Sequence, residues 1–239
     1  MTTNVDLAPD TDGLSLILDI DCARSLRELT EMINGLCARV ESRVDRTVTV
    51  LRLRGTPASG REWPGDVRVP EVNRWERAIR RLERLDAVNI AVATGACGGP
   101  ALDILLAADL RIAGSDLQLM LPVNDGHFWP GMSMYRLVQH LGVARARQIV
   151  LWGIDVPVAK ATELGLVDQV YDDVDEAVHT ATVLTGRISD RELAVRRQLL
   201  LEAGSVEFDE ALGTHLAACD RELRRLRAAS GAVPEDGQP

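Results

Sequence analysis

The sequence predicts an α/β fold: parallel β-α-β units in the first half, followed by a helical appendix. Three observations carry this. Short runs rich in β-branched and apolar residues alternate with amphipathic helical periods as far as residue 114. From residue 133 onward the helical period dominates. Glycines fall at the joints between these runs, as at Gly55, Gly95, Gly114 and Gly165.

The elements follow in order. GLSLILDI (13–20) reads as a strand. Ser25 to Val44 reads as a helix, because Leu26, Leu29, Met32, Ile33, Leu36 and Val40 recur at spacings of three and four and make one apolar face. TVTVLRLRG (47–55) is a strand stopped by its glycine, and TPASGREWPGD (56–66) is a loop by composition. An amphipathic helix over 69–86, a buried strand over 88–95 and a helix opening near Gly99 come next. DLRIAG (109–114) is a strand, LQLMLPV (117–123) is extended, and NDGHFWPGM (124–132) is a loop. Helices are expected at 133–141 and 143–152. VPVAKATELGLVDQVYDD gives a helix, a stop at Gly165 and a short strand. Further helices are expected at 174–187, 189–202 and 207–229, with no internal repeat. The last carries Leu212, Leu216, Cys219, Leu223 and Leu226 as a stripe that requires burial, either inside the chain or between copies. The domain reading is an α/β core at 13–187 and a helical region at 188–230, with disordered tails at 1–12 and 231–239.

Composition excludes several classes. The 239 residues carry a formal net charge of −9, so no global basic field draws nucleic acid, and aromatic residues are too scarce, at 3%, for base stacking. No run reaches the ~20 apolar residues of a membrane helix. The polar, acidic start MTTNVDLAPDTDG lacks a basic-then-apolar leader, and the four cysteines are scattered. Together these predict a cytoplasmic protein without a disulfide framework. The four histidines lack metal-ligand spacing, so no metal is expected.

One stretch raises a chemical question. In ATGACGGPALDILLAADLRIAG (93–114) a strand runs through a glycine turn into a helix. Such a turn aims backbone N–H groups, aided by the helix dipole, at a negative oxygen. This stretch resembles the N-G-x-x-x-G-G-G-x-E-L pattern of the crotonase (enoyl-CoA hydratase/isomerase) superfamily. LQLMLPVNDGHFWPGMSMYRLVQHLG is similar to that family's F-x-x-P-E-x-x-x-G-x-x-P-G segment, and ATELGLVDQV to its A-x-x-x-G-L-V-D-x-V. The resemblance spans roughly residues 13 to 205. It implies a crotonase-like ββα spiral core with a C-terminal helical region, and an acyl-CoA thioester as substrate. Coenzyme A then enters with the substrate and no separate cofactor is needed. Two backbone N–H groups would hold the thioester oxygen. It also implies a homo-trimer or hexamer.

Carried over residue by residue, the family's three glycines fall on Gly99, Pro100 and Ala101, and its donor position falls on Pro100, which has no N–H. Proline is also simply a good first helical residue. Either Pro100 only starts the helix, or the donor is lost, or Gly99 or Ala101 replaces it. Asp103 stands at the first catalytic glutamate, where an acid also complements the helix dipole. Val123 stands at the second glutamate and cannot move a proton. Asn124, Asp125 and His127 lie just beyond it, with His127 the best acid/base candidate and a polar loop the plainer reading. The other donor loop matches at Ser59 and Gly60. Arg54 and Arg61 are candidates for the CoA phosphates or are solvated.

Two readings stay open. In one the chain is an enzyme of the hydratase-like lyase or dehydratase kind. Its departures resemble the crotonase-like accessory branch of the 3,5-dihydroxyphenylglycine pathway, which implies dehydration or aromatisation of a polyketide thioester beside a type III polyketide synthase. In the other it is a degenerate relative that binds and activates such a synthase. An ordinary enoyl-CoA hydratase is the further alternative.

Overall fold

The computed structural model describes residues 8–9, 15–43, 47–54, 63–185, 190–204 and 206–229. The chain divides into two compact units, at residues 1–190 and 191–239.

The first unit contains β1 (Ala8–Pro9), β2 (Ser15–Asp21), α1 (Leu26–Glu41), β3 (Val48–Arg54), α2 (Val69–Glu83), β4 (Val88–Ala93), β5 (Ala96–Cys97), α3 (Pro100–Ala107) and β6 (Leu110–Gly114). It continues through β7 (Gln118–Leu119), β8 (Val123–Asn124), β9 (His127–Phe128), α4 (Ser133–Leu141), α5 (Val143–Trp152), β10 (Val156–Pro157), α6 (Val158–Glu163), β11 (Gln169–Tyr171) and α7 (Val174–Thr185). The main sheet has the order β1-β2-β3-β4-β6-β11. Its strands from β2 onward pair in parallel, and β1 adds antiparallel at the edge. A second sheet, β10-β7-β5, takes the short strands that leave β4 and β6. Thus β4, β5 and α3 form one ββα turn: a strand in each sheet, then a helix. This is the predicted α/β spiral.

Local sequence explains the main elements. On α1 all six stripe residues are buried. Ser25 caps the helix in a reciprocal box, its Oγ accepting from the Glu28 N–H at 3.4 Å while the Ser25 N–H donates to Glu28 Oε2 at 3.1 Å. On α2 the face Trp75, Ala78, Ile79 and Leu82 is buried. β4 is buried throughout, as a central parallel strand requires. Asp109 receives the Asn89 N–H at 2.8 Å and ties β4 to the start of β6.

Two regions differ from expectation. Residues 124–132, read as loop, contain the hairpin β8–β9, with Asp125 (φ 47°) and Gly126 (φ 80°) as its two-residue turn. Positive φ at both positions is the type I′ requirement, which Asp-Gly satisfies. The second unit holds α8 (Asp190–Ala203) and α9 (Phe208–Ala229). There the α9 stripe that the sequence requires to be buried is exposed: Leu212, Leu216, Leu223 and Leu226 are 40–57% accessible in the single chain. Among the described residues, no helix is long and apolar enough to cross a membrane.

Candidate functional site

The parallel strands β2, β3 and β4 point their carboxyl ends the same way, and in such sheets ligands bind beyond those ends. A cavity of about 260 Å³ lies there. Three segments remote in sequence line it: residues 22–26 between β2 and α1, residues 63–67 ahead of α2, and residues 98–100 at the start of α3.

The α3 turn is built around Gly99, whose φ of 53° and ψ of −122° favour glycine. A second constraint acts there, since a Cβ on Gly99 would lie 3.1 Å from Trp63 Cγ. Pro100 is the first helical residue and brings no donor. The Ala101 N–H is already committed to the Gly98 carbonyl at 3.2 Å, and the Asp103 N–H to the Gly99 carbonyl at 3.1 Å. Ala101 therefore does not replace the missing donor. Gly98 and Gly99 both line the cavity, and their N–H groups donate to no described residue. Two N–H groups without a described acceptor therefore stand at this turn, one and two positions before Pro100.

The charged groups on the described wall are Arg24 and Asp66, both exposed. Cys22 also lines it, but burial, reinforced by the Asp21 charge, pushes its thiol up to about 12 and keeps it neutral. Sequence reasoning missed Arg24, Asp66 and Trp63. The only sequence-level signal was general: a capped helix, Ser25–Glu28, opening directly after a parallel strand.

Asp103 does not line the cavity. It is 3% exposed, and its Oδ2 accepts the Trp75 indole N–H at 2.9 Å. Arg136 lies 3.6 Å from its Oδ1, a charge contact too long for a hydrogen bond, and that oxygen has no hydrogen-bond partner. Arg136 instead donates twice to Glu76, at 3.2 Å each. Burial, then the Glu76 charge, push the Asp103 carboxyl up to about 7, while Arg136 and the Trp75 hydrogen bond pull against them.

The remaining candidates separate widely. Val123 is half-buried in β8 and paired with Phe128. Asp125 and His127 are exposed on the hairpin and do not reach the cavity wall, so neither replaces the missing carboxylate there. Asp125 takes the first position of the β8–β9 turn, at φ 47°. Asn124 matters differently: its Oδ1 accepts the Trp63 N–H at 3.2 Å and its Nδ2 donates to the Trp63 carbonyl at 2.9 Å. The hairpin that carries it is docked by Phe128, whose ring occupies the space a side chain on Gly153 would need. Arg54 is exposed, away from the cavity wall, and pairs with Asp19 at 3.4 Å. Ser59, Gly60 and Arg61 lie outside the described residues. Among the described residues, no group of three His, Cys, Asp or Glu is placed to hold a metal ion.

Comparison with known proteins agrees with this architecture. An "Enoyl-CoA-hydratase" of Amycolatopsis orientalis is 44% identical over 211 residues, covering 88% of this chain and 96% of that protein. The enoyl-CoA hydratase domain-containing protein 2 of mouse mitochondria is 29% identical over 204 residues, covering 80% of this chain and 66% of its own length. Among solved structures, an enoyl-CoA hydratase from Shewanella pealeana ATCC 700345 superposes with a TM-score of 0.75 at 19% identity, covering 95% of this chain and 88% of its own. A protein of Thermobifida fusca YX solved in complex with acetoacetyl-CoA gives 0.69 at 21% identity, covering 92% and 96%. The model of the enoyl-CoA hydratase/isomerase family matches residues 71–222, and with the relative at 44% identity this places the chain in that family.

Proposed function

We propose that this chain binds an acyl-CoA thioester in the cavity at the start of α3 and polarises its carbonyl there without running the two-carboxylate hydration of its relatives. One observation carries the reading. Gly98 and Gly99, whose N–H groups donate to no described residue, line the cavity, while Asp103 is buried and does not line it. The acetoacetyl-CoA complex of the Thermobifida fusca protein, which shares the fold, supports the ligand class. N–H groups at a helix N-terminus stabilise the enolate that forms when a thioester loses an α-proton, and one such donor contributes about 3–4 kcal/mol. Arg24, exposed and among the residues that line the cavity, is the cation on the described wall that would meet an anionic group of the CoA portion.

The finer reading is that the acyl group is a polyketide and that the chain assists its dehydration or aromatisation beside a type III polyketide synthase, as in dihydroxyphenylglycine biosynthesis. It rests on the departures at Pro100 and Val123 and on the resemblance they carry. A cytoplasmic homo-trimer or hexamer would bury the exposed α9 stripe. Asp66, the one carboxylate on the described wall, is the group available for proton transfer in the enzymatic form of this reading. The competing form is a binding partner that activates the synthase without chemistry. The withdrawal of Asp103 from the cavity favours it.

Calorimetry with acetoacetyl-CoA, a crotonyl-CoA hydration assay, and product analysis of a synthase reaction with and without the chain test this. Expected are binding, negligible hydration and a shifted synthase product profile. Asp66→Asn separates the two forms: loss of the shift with binding retained assigns chemistry to Asp66, and full retention assigns activation. Rapid crotonyl-CoA hydration, or no heat with any thioester, overturns the proposal.

A further inference from the structure

Trp63 stands between the cavity and the carboxylate that the family register places at Asp103. The root of its indole sits on the α3 turn, with Cγ 3.1 Å from where a Gly99 Cβ would be. Its ring meets Trp75 edge-on, centroids 5.7 Å apart at 71°, and the Trp75 indole N–H continues to Asp103 at 2.9 Å. All three residues are buried, at 6%, 1% and 3% exposure, yet only Trp63 reaches the cavity wall. Its backbone is clamped on both polar atoms by Asn124.

We infer that Trp63 is the specificity-determining wall of the thioester cavity: wedged between Gly99 and Trp75, it ends the cavity short of Asp103 and restricts the bound acyl group to short chains. The inference rests on the thioester reading above. The size of the cavity argues the same way, because about 260 Å³ lies below the roughly 300–1,000 Å³ of pockets that enclose a drug-sized ligand. A short β-ketoacyl head fits that space, whereas a long alkyl chain must displace the indole. Displacement of the indole gives up its edge contact with Trp75, while the two Asn124 hydrogen bonds hold the Trp63 backbone and keep the main chain from moving aside with the ring, so the wall resists it. Asn124 and Trp75 are positioning residues that act through Trp63. Gly99 is the residue that lets the ring approach.

The test is calorimetry on the full chain with acetoacetyl-CoA and decanoyl-CoA as probes. The unaltered chain binds acetoacetyl-CoA more tightly, by about tenfold or more. Trp63→Ala tightens decanoyl-CoA by about tenfold and removes all or most of the preference. Asn124→Ala moves the ratio the same way by a smaller factor, which a merely structural role would leave untouched. Trp63→Phe keeps an apolar ring but shortens it, so it shifts the ratio modestly and serves if Trp63→Ala does not fold. It also abolishes any change in tryptophan fluorescence on binding acetoacetyl-CoA that arises at Trp63. An unchanged chain-length preference in folded Trp63 and Asn124 variants overturns this inference and leaves the thioester reading standing. Absence of binding by either probe to the unaltered chain overturns both.

Discussion

Asp66 and Asp103 make an instructive pair. Asp103 is the residue that the motif resemblance matches to a catalytic glutamate, yet it is buried against Trp75 and Arg136 and does not line the cavity. Asp66 matches no catalytic motif, yet it stands on the cavity wall in contact with solvent. Register within a helix places a residue on the chain. The neighbours brought from other elements decide whether it meets a substrate. Here Trp63 packs edge-on against Trp75, whose indole N–H takes one Asp103 oxygen, and Pro100 opens the helix without an N–H.

Breaking the buried side of this pair has the largest expected effect. Arg136 is 5% exposed and serves both Glu76 and Asp103. Arg136→Ala leaves the buried Asp103 and the half-buried Glu76 without their cation and lowers stability by about 3–5 kcal/mol, measured by denaturant unfolding. A loss under 1 kcal/mol would show that these acids do not depend on Arg136. Next comes the boundary between the two sides. Gly99→Ala puts a Cβ against Trp63 and forces an L-residue to φ 53°, for about 1–3 kcal/mol of stability and weaker acetoacetyl-CoA binding by calorimetry. Unchanged stability and affinity would show that the turn and ring relax freely.

A smaller effect sharpens the electrostatic half. The Asp103 carboxyl is raised in the fold from an ordinary 3.8 to about 7. Such a group contributes stability that is fully present below pH 3.8 and is lost as pH rises through about 7. His140 acts in the opposite sense. Burial lowers its value below 6.5; its Nε2–H donates to the Leu106 carbonyl at 2.8 Å and Arg111 approaches its Nδ1 at 3.3 Å. Its contribution is full above pH 6.5 and is lost as pH falls below it. Subtracting the stability curve of Asp103→Asn from that of the unaltered chain cancels His140. The difference falls between pH 4 and 7, with the asparagine variant gaining relative stability above that range. A flat difference places Asp103 at its ordinary value.

Much of the scaffold was legible in the sequence because its signals are local. The α1 stripe at spacings of three and four, the Ser25–Glu28 cap and the β-branched runs each sit within a few residues of what they determine. The β8–β9 hairpin was missed because two-residue strands carry no periodicity, although Asp125-Gly126 was its signature. The turn at 98–100 was found as a motif, with Pro100 as a good first helical residue in it. The cavity itself was not, since its walls come from residues 22–26, 63–67 and 98–100, which meet only when β2, β3 and β4 align. Asn124 was singled out as a possible acid/base substitute, but its partner lies 61 positions away and its role is to hold Trp63. The α9 stripe shows the converse: a strong local period predicted burial, and the single chain leaves it exposed.

The proposed grip on a thioester carbonyl, by N–H groups at the α3 turn on the strand side of Pro100, has a spectroscopic signature. Difference infrared spectroscopy with acetoacetyl-CoA carrying ¹³C at the thioester carbonyl reads that grip directly. The labelled band is expected to move to lower frequency on binding, and further in Pro100→Gly, which supplies an N–H at position 100. A labelled band that binds without shifting, in the unaltered chain and in Pro100→Gly alike, would contradict it.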